Sequence, residues 1–372
     1  MTNVLFIHSS SELYGSDRSL LNIVKNIDRD EYSVHVILPC AGPLVEEMKK
    51  ISNTKVNIFE VAVLRRKNLS IKGGLDYICN FNKSISYIKK YIKDYSIDIV
   101  DTNTAVVFPG AIAAKKLKKK SVWHIREIIK SNFENKVISS IMNKYADLII
   151  ANSKATGKAL KVNPEKVRVV YNAVTDHEDT KDVIEKDRIT IGMAGRINRW
   201  KGQKLFVDAA YIVHQSIPEA RFKIAGEVYI GEDYIRDELV EYIKEKGLEK
   251  CVQLLGQVND MSLFYKSIDI FVLPSIQPEP FGLVVIEAMD YSLPVIATNH
   301  GGPTEIIDDG IDGYLVDFTT ADEMAKKIIV LANDSNLRQK IGMKGKEKKA
   351  KNFSVKSMTQ GVEKVFYEVM KS

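Results

Sequence analysis

The chain has 372 residues, of which 45% are hydrophobic and 27% charged, a composition that excludes intrinsic disorder as its main state. At roughly 150 residues per domain, this length predicts two or three domains, and each half of the chain is long enough to bury its own core. The three cysteines lie far apart and form no CxxC pair, which argues against a disulfide framework or a zinc knuckle. A reducing cytoplasm fits this cysteine usage.

The N-terminal sequence MTNVLFIHSS runs directly into a strand-like segment, without the basic and apolar regions of a signal peptide. No stretch approaches the roughly 18 apolar residues that a membrane-spanning helix needs. We therefore expect a cytoplasmic protein.

Positive charge is concentrated in the first half of the chain. Residues 1–180 contain 28 Lys and Arg against 19 Asp and Glu, whereas residues 181–372 contain 26 against 29. The excess includes 65–67 (RRK) and 115–120 (KKLKKK), which suit anionic lipid, nucleic acid or an acidic acceptor. Solvated helix ends would explain the same charges. Nucleic acid is disfavoured because no aromatic residues interleave with the lysines and no zinc-finger or RNP-like motif is present.

Short β-branched runs alternate with longer amphipathic stretches, which predicts βα units and parallel sheets covered on both faces. In the first half, strands are predicted at 4–10, 33–39, 56–61, 97–103, 121–126, 146–152 and 167–172, and a helix over 74–94. In the second half, strands are predicted at 189–194, 220–226, 252–255, 268–274, 294–298 and 313–316, and helices over 321–351 and 354–371.

A charged stretch of low hydrophobicity over 175–188 (TDHEDTKDVIEKDR) interrupts this alternation and is typical of a linker. We predict an α/β protein with two Rossmann-like, doubly wound domains over 1–175 and 188–352, joined by a linker over 176–187 and facing a central cleft. Open α/β sheets bind ligands at the carboxyl ends of their strands, so the chemistry is expected in the loops that follow them.

The first strand of the second domain leads into a loop with two cations. Gly195 at the strand end allows a ligand to approach the backbone, and Arg196 and Lys201 flank a loop before a helix predicted to begin near Gly202. Two cations beside a helix N-terminus form a natural diphosphate site, with about 1.5–3 kcal/mol for each charge-assisted contact. An ordinary βα loop with exposed basic residues is the alternative.

Two familiar nucleotide-binding motifs are absent. The sequence SSSELYGSDRSL stands where a GxGxxG fingerprint would follow the first strand, which disfavours NAD, and the lack of a GxxxxGK[ST] loop excludes a P-loop ATPase. A helix is predicted to start near Asp17 or Arg18. Either Asp17 is its N-cap, or Gly15 and Ser16 present backbone N–H groups to a phosphate.

The stretch 275–289 (SIQPEPFGLVVIEAM) combines a strand end, a proline-rich loop and a helix. Glu279 lies in the loop, Gly282 opens the helix, and Glu287 lies on its second turn. Carboxylates accept hydrogen bonds from sugar and ribose hydroxyl pairs, and N–H groups near Gly282 and Leu283 add an anion site. A hydrolase needs two carboxyls flanking one bond, whereas this spacing suits gripping two parts of a long ligand.

With these residues the chain resembles the retaining glycosyltransferases of family 4, which have the GT-B fold. Glu279 and Glu287 form the E-x7-E pattern, downstream of GR…KG at 195–202. SELYGSDRSL resembles the N-terminal glycine loop, VRVVYNAV the segment before the linker, and GGPTEIIDDGIDGYLV the C-terminal signature, so the likeness covers the whole chain. One departure is Tyr14-Gly15-Ser16-Asp17, where the family often has two glycines followed by Glu. Tyr14 adds bulk where the acceptor is expected.

The resemblance implies donor-binding and catalytic roles in the second domain. Arg196 and Lys201, next to Gly195, would neutralise the donor diphosphate and the charge that develops as the nucleotide departs. Glu287 would hold the ribose hydroxyls. Glu279 would hold the transferred sugar, together with the backbone around Phe281, Gly282 and Leu283.

The resemblance also implies roles in the first domain. Gly15 and Ser16 would lie close to the diphosphate and the acceptor. His124, at the end of a strand, would lie near the donor sugar, with a structural histidine as the alternative. The last helix, 353–372, would pack back on the first domain.

The activity implied is retaining transfer of a sugar from a nucleotide-diphosphate sugar, with uridine as the default base, to a glycan or lipid-linked acceptor in bacterial surface polysaccharide synthesis. No cofactor is implied, and no metal is expected because no DxD-type carboxylate pair follows a strand. The basic first half suggests docking at the inner face of the cell membrane. A GT-B epimerase or phosphorylase and a non-catalytic sugar-nucleotide-binding module are the alternatives.

Overall fold

The computed structural model describes residues 1–64, 71–177 and 188–372. The basic residues 65–67 and most of the predicted linker, 178–187, lie outside the described residues. By its internal contacts the chain forms two units: unit 1 comprises Met1–Ala173 and Val355–Ser372, and unit 2 comprises Val174–Ser354. The domain limits inferred from the sequence stay predictions.

Strands and helices alternate throughout the described ranges. The strands are β1 (Thr2–Ile7), β2 (Tyr32–Leu38), β3 (Thr54–Ile58), β4 (Ile99–Thr102), β5 (Lys120–Ile125), β6 (Leu148–Ala151), β7 (Val167–Val169), β8 (Thr190–Ala194), β9 (Arg221–Ala225), β10 (Val252–Gly256), β11 (Ile270–Leu273), β12 (Val295–Thr298) and β13 (Tyr314–Val316). Each predicted strand is confirmed. The strands have three to seven residues, and most of them are buried apolar runs, which favour parallel strands.

The α-helices are α1 (Gly15–Asn26), α2 (Pro43–Lys49), α3 (Ile71–Asp94), α4 (Pro109–Lys116), α5 (Asn132–Tyr145), α6 (Lys154–Ala159), α7 (Gln203–Ser216), α8 (Asp233–Glu245), α9 (Met261–Lys266), α10 (Leu283–Asp290), α11 (Pro303–Ile306), α12 (Asp322–Asn333), α13 (Ser335–Asn352) and α14 (Val355–Lys371).

Unit 1 has a parallel seven-stranded sheet in the order β3-β2-β1-β4-β5-β6-β7. One face packs against α1, α2 and α14 through a cluster that includes Ile99 and Val122. The other face packs against α3, α4 and α5 through clusters that include Val100 and Trp123. Since side chains alternate along a strand, residues 99 and 101 of β4 share the first face with residues 122 and 124 of β5.

Unit 2 has a parallel six-stranded sheet in the order β10-β9-β8-β11-β12-β13. Its largest core cluster joins the sheet to α7, α8 and α12. In each sheet the first three strands of the sequence lie side by side from the first strand to one edge. The later strands lie on the other side of the first strand, so β1 neighbours β4 and β8 neighbours β11. The loops after these strand pairs diverge at a topological switch point, where doubly wound sheets bind ligands.

The single helix predicted over 321–351 is wrong, because the structure has α12 and α13 there. The break falls at Asp334, whose extended backbone ends α12 and whose side chain accepts a hydrogen bond from the Leu337 N–H at 2.9 Å. An N-cap aspartate therefore starts a new helix inside a stretch that is helical in pattern on both sides.

The predicted start of the first helix near Asp17 is also wrong, because α1 begins at Gly15. Asp17 is the third helical residue, and its carboxylate accepts the backbone N–H of Tyr14 at 2.9 Å. The N-cap interpretation of Asp17 is therefore incorrect. Gly15 and Ser16 occupy the first two helical positions, whose N–H groups have no partner within the helix.

Candidate active site

Two loops at the switch point of unit 2 bring a cation and a carboxylate together. The Lys201 Nζ lies 2.5 Å from Glu279 Oε1, which also accepts a hydrogen bond from the Ser275 hydroxyl at 2.6 Å. Glu279 is only 3% exposed. Lys201 approaches because the Asn198 side chain accepts its backbone N–H at 2.9 Å and folds the loop after β8. The contact leaves further ammonium donors available to a ligand.

Two glycines fix the backbone around this pair. A Cβ at Gly202, whose φ is +78°, would lie 1.8 Å from the Pro274 carbonyl oxygen, so the loop before α7 lies directly against the end of β11. A Cβ at Gly301, φ +69°, would lie 2.4 Å from the carbonyl oxygen of Glu279. Neither position has room for a side chain.

The second predicted cation of unit 2 is held by an aromatic ring. The Arg196 guanidinium carbon lies 3.7 Å from the centroid of the Tyr229 ring, which is about half exposed. This separation is that of a stacked cation–π contact. The Arg196 carbonyl accepts a hydrogen bond from the Gln203 side chain at 3.0 Å, which ties the loop after β8 to the first residue of α7.

Glu287 lies on the second turn of α10, as predicted, and is partly buried. The hydroxyl of the buried Tyr265 donates to Glu287 Oε2 at 2.6 Å, which orients the carboxylate. Gly282 precedes the helix with φ +102°, and Leu283 is its first residue. The Phe281 side chain is buried against Phe353, with ring centroids 5.8 Å apart. Only the backbone of Phe281 can therefore contact a ligand.

In unit 1, the residues after β1 form a buried polar pair beside the start of α1. His8 Nε2 lies 2.7 Å from Asp17 Oδ1, and His8 Nδ1 lies 3.1 Å from the Asn103 carbonyl oxygen. Burial alone would raise the pKa of Asp17, but the hydrogen bond and charge of His8 outweigh it and lower that pKa. The pair fastens the N-terminus of α1, with Gly15 and Ser16, to the carboxyl ends of β1 and β4.

His124 lies inside β5, one residue before the strand ends, and is 1% exposed. Its Nδ1 lies 4.0 Å from Asp101 Oδ2 on the neighbouring strand. Arg126 follows β5 and is also buried. Its guanidinium donates to the side-chain oxygens of Asn103, at 3.1 Å, and of Asn172.

A cavity of about 710 Å³ lies at the carboxyl ends of β1, β2 and β3. It is lined by the segments 9–12, 39–40 and 60–63, which follow those strands, and by one side of α3. Its lining offers serine hydroxyls, two glutamates (Glu12 and Glu60), Asp76 and the exposed Cys40. Such a mixture of hydroxyl and carboxylate groups suits a polyhydroxyl ligand.

Sequence reasoning identified the paired Lys201 and Glu279 but missed the residues that hold the site in place. Tyr229 and Tyr265 lie outside the motif stretches, and Ser275 opens the stretch 275–289 but had no predicted role, so their contacts emerge only from the fold. Asp101 does carry a signal in the sequence, since a carboxylate inside an apolar strand pattern (IDIVDT) is unusual for a buried position. Trp123 is fully buried in a core cluster, so it has no ligand-facing surface.

Across residues 1–64, 71–177 and 188–372, no helix has the length and hydropathy to cross a lipid bilayer. The same residues contain no group of three or more His, Cys, Asp or Glu side chains arranged to hold a metal ion.

Family comparisons match both halves of the chain. Residues 14–178 match the model of Glycosyltransferase Family 4, and residues 174–348 match that of Glycosyl transferases group 1. Together the two matches span residues 14–348, which include the loops with Arg196, Lys201 and Glu279 and the helix α10 with Glu287.

Individual proteins are similar over most of the chain. An uncharacterized glycosyltransferase of Methanocaldococcus jannaschii is 29% identical over 80% of this chain and 82% of its own. The Escherichia coli UDP-Gal:alpha-D-GlcNAc-diphosphoundecaprenol alpha-1,3-galactosyltransferase is 27% identical over 87% of this chain and 86% of its own. The crystal structure of Anabaena HepE with UDP and glucose superimposes with a TM-score of 0.84 and 25% identity, covering 99% of this chain and 100% of that one.

Proposed function

This chain is a glycosyltransferase of family 4 with the GT-B fold, and we propose that it moves a sugar, with retention of configuration, from a nucleotide-diphosphate sugar to a glycan or lipid-linked acceptor. The reaction is metal-independent in this proposal, because Arg196 and Lys201 supply the positive charge that the departing diphosphate needs. No cofactor other than the donor takes part.

The contact between Lys201 and Glu279 is the observation that carries the proposal. It places a cation and a carboxylate side by side at the switch point of the unit 2 sheet, 2.5 Å apart. Lys201 and Arg196 bind the diphosphate, Glu279 accepts hydrogen bonds from the sugar hydroxyls, and Glu287 accepts them from the ribose.

In the chemical step, the bond between the anomeric carbon and the phosphate oxygen breaks, and negative charge accumulates on the leaving diphosphate. Lys201 and Arg196 stabilise that charge. Removing one such charge-stabilising side chain from an active site typically lowers the rate about 10²–10³-fold. A phosphate oxygen takes the proton of the acceptor hydroxyl, whose oxygen bonds to the anomeric carbon on the same face. No side chain forms a covalent intermediate.

The comparisons support a uridine donor and a lipid-linked acceptor. HepE was crystallised with UDP and glucose, and the E. coli relative is named for UDP-Gal, a diphosphoundecaprenol acceptor and an α-linked product. We propose the same classes for this chain, in the synthesis of a bacterial surface polysaccharide. The cavity after β1, β2 and β3 is the proposed place of the acceptor sugar, because its hydroxyl and carboxylate lining matches sugar hydroxyls.

Calorimetric titration tests the donor site. UDP, GDP and ADP are titrated without metal into the wild type, Lys201→Ala and Lys204→Ala. Lys204 is exposed on α7 and is a matched control, because its substitution removes the same charge outside the pair. We expect one nucleotide, UDP, to bind the wild type and Lys204→Ala equally, and Lys201→Ala at least about 10-fold more weakly.

Transfer assays with UDP-sugars and a diphospholipid-linked sugar complete the test, and the anomeric configuration of the product is read by NMR. Lys201→Ala and Glu287→Ala are expected to keep their fold and lose most of the activity. Full transfer by either variant would contradict the site assignment. Conversion of the donor without any acceptor would instead favour an epimerase or phosphorylase.

A further inference from the structure

Asp101 is a buried carboxyl group that has no role in the proposed donor site or in the proposed acceptor cavity. It lies in β4, is 0% exposed, and neither of its carboxyl oxygens has a hydrogen-bond partner among the described residues. An unpaired polar group in a protein interior is energetically costly, because it has lost its hydrogen bonds to water without replacing them. Buried polar groups without partners are rare in native proteins and often mark function.

His124 is the polar side chain that faces this carboxyl group from the neighbouring strand. Residues 101 and 124 lie on the same face of the sheet, and Asp101 Oδ2 is 4.0 Å from His124 Nδ1. The imidazole is 1% exposed. A hydrogen bond requires the two atoms to close by about 1 Å, and no described donor is hydrogen-bonded to either carboxyl oxygen.

The other charged groups around Asp101 have partners of their own, except that the buried Arg126 Nη2 has none among the described residues. His8, after β1, pairs with Asp17 of α1. Arg126, after β5, donates to the side chains of Asn103 and Asn172. Glu127 accepts the backbone N–H groups of Ala105 and Arg126. The buried residues of α14 carry no titratable group: they are Met358, Thr359, Val362, Val365, Phe366 and Val369.

These surroundings favour the neutral forms of both partners. Burial raises the pKa of Asp101 to about 7, only partly offset by the positive charge of Arg126. Burial also lowers the pKa of His124 well below its ordinary value, with added repulsion from Arg126 and His8. A neutral imidazole has one N–H donor and one acceptor nitrogen, so the partner at Nδ1 decides which nitrogen holds the proton.

We propose that Asp101 is a positioning residue that keeps its carboxyl proton, donates it in a hydrogen bond to His124 Nδ1, and so holds the His124 proton on Nε2. His124 is then a hydrogen-bond donor towards an oxygen of the sugar substrate and not a general base. The inference rests on the proposed function for that substrate contact. No proton is consumed, because both groups keep theirs throughout the transfer.

The proposal fixes the direction of a pH dependence. When Asp101 loses its proton, the carboxylate accepts a hydrogen bond from Nδ1–H, and Nε2 is left with a lone pair where a donor is needed. Activity is therefore present below the pKa of Asp101 and falls as the pH rises through about 7. An amide at this position can donate to Nδ1 at any pH, whereas an aliphatic side chain cannot.

Three variants of the full chain test this role through the pH profile of kcat/KM. Asp101→Asn is expected to stay within about 3-fold of the wild type at pH 6 and to lack the decline near pH 7. Asp101→Leu is expected to lose at least about 10-fold at every pH. Thr102→Val removes a buried hydroxyl that has no hydrogen-bond partner among the described residues and lies on the opposite face of the same strand. It controls for general effects on β4. It is expected to keep the wild-type profile.

A decline in Asp101→Asn like that of the wild type, or wild-type activity in Asp101→Leu, would overturn the proposal. A second readout does not need activity: ¹⁵N NMR of the imidazole in the ligand-free protein at pH 6. We expect the proton of His124 on Nε2 in the wild type and in Asp101→Asn, and a mixture of tautomers in Asp101→Leu. If Nε2 of His124 carried no proton in the wild type, the proposal for Asp101 would be refuted even if the protein transferred sugar. If the NMR signals were as expected but the protein were inactive, only the proposed function would be refuted.

Discussion

At the scale of single residues, the donor site depends on contacts that hold charged groups in place before a ligand arrives. Arg196 is stacked on Tyr229, and Lys201 is held between Glu279 and the face of Trp200, whose ring centroid lies 4.6 Å from Nζ. A long cationic side chain loses rotamer entropy when it binds a phosphate, and a side chain already held loses less. We therefore expect Tyr229 to contribute to donor affinity without touching the donor.

We predict that Tyr229→Leu weakens UDP binding about 3- to 10-fold, the equivalent of a partly exposed cation–π contact. Tyr229→Phe is expected to bind like the wild type, because the ring and not the hydroxyl supports the guanidinium. Calorimetric titration measures both.

Tyr234→Leu is the matched control for this prediction. Tyr234 is about as exposed as Tyr229 and lies beneath Arg199, with 6.0 Å between guanidinium carbon and ring centroid, but Arg199 has no proposed role in donor binding. Equal losses in the two leucine variants would show that the effect is not specific to Arg196.

Arg196, Lys201, Glu279 and Glu287 could be proposed from the sequence because their spacing along the chain forms a motif, and their roles in donor binding stay predictions. Their supporting residues could not. Tyr229 and Tyr265 reach the site from loops and helices whose position depends on how α8, α9 and α10 pack. His8 and Asp17 are nine residues apart, and their contact requires the turn between β1 and α1.

At the scale of elements, α10 connects the donor site to a buried charge cluster. Glu287 lies on one turn of this helix and Asp290 on the next. Asp290 receives hydrogen bonds from Lys349 of α13, at 2.7 Å, and from the His177 backbone, also at 2.7 Å. Burial alone would raise the pKa of Asp290, but the bonds from Lys349 and His177 outweigh it and lower that pKa.

Removing the buried cation should destabilise unit 2. Lys349 is 0% exposed, so Lys349→Met leaves the negative charge of the buried Asp290 with less compensating positive charge. We predict that the free energy of unfolding falls by about 3–5 kcal/mol at pH 7. Lys344→Met, in the same helix, removes an exposed pair with Glu347 and should cost less than about 1 kcal/mol. Urea unfolding of each variant measures the difference.

The pH dependence of this loss is a further check on its cause. A carboxyl group with a lowered native pKa stabilises the fold above its unfolded pKa of about 3.9, and that contribution is lost as the pH falls through the native value. The difference between wild type and Lys349→Met should therefore shrink in acid. A difference that is the same at pH 7 and pH 3 would point to lost packing.

Elements were predictable where one hydrophobic period ran without interruption. Most strands of both sheets are buried apolar runs, and they could be found from composition and length. The boundary between α12 and α13 could not be found in the same way. The helical pattern continues on both sides of Asn333-Asp334-Ser335, and these three residues contain no Gly or Pro to mark a break. Only the capping bond of Asp334 distinguishes two helices from one.

At the scale of the whole molecule, the basic first half raises the question of a membrane surface. Two lysines of the run 115–120 are already in ion pairs, Lys115 with Asp147 and Lys119 with Asp98. Lys116 and Lys118 are exposed. Near an anionic membrane each such charge contributes about 1 kcal/mol, so these two lysines would matter more than the paired ones.

We predict that Lys116→Gln combined with Lys118→Gln lowers binding to vesicles containing phosphatidylserine by about 10- to 30-fold, measured by co-sedimentation at low salt. Lys340→Gln combined with Lys351→Gln removes the same charge from exposed positions of α13 and should have little effect. Unchanged vesicle binding in the first variant would exclude this lysine pair as the lipid contact.

The two glycines against which the donor loops pack have a consequence for how such a gene can diversify. Gly202 and Gly301 bring backbone against backbone, so a change at either position must be accompanied by movement of the facing loop. The cavity of unit 1 is lined by separate loops after β1, β2 and β3, where single substitutions alter shape and charge one position at a time. We expect descendants of this gene to acquire new acceptor specificities through single substitutions in the cavity loops. The donor loops should change only when substitutions in the two facing loops occur together.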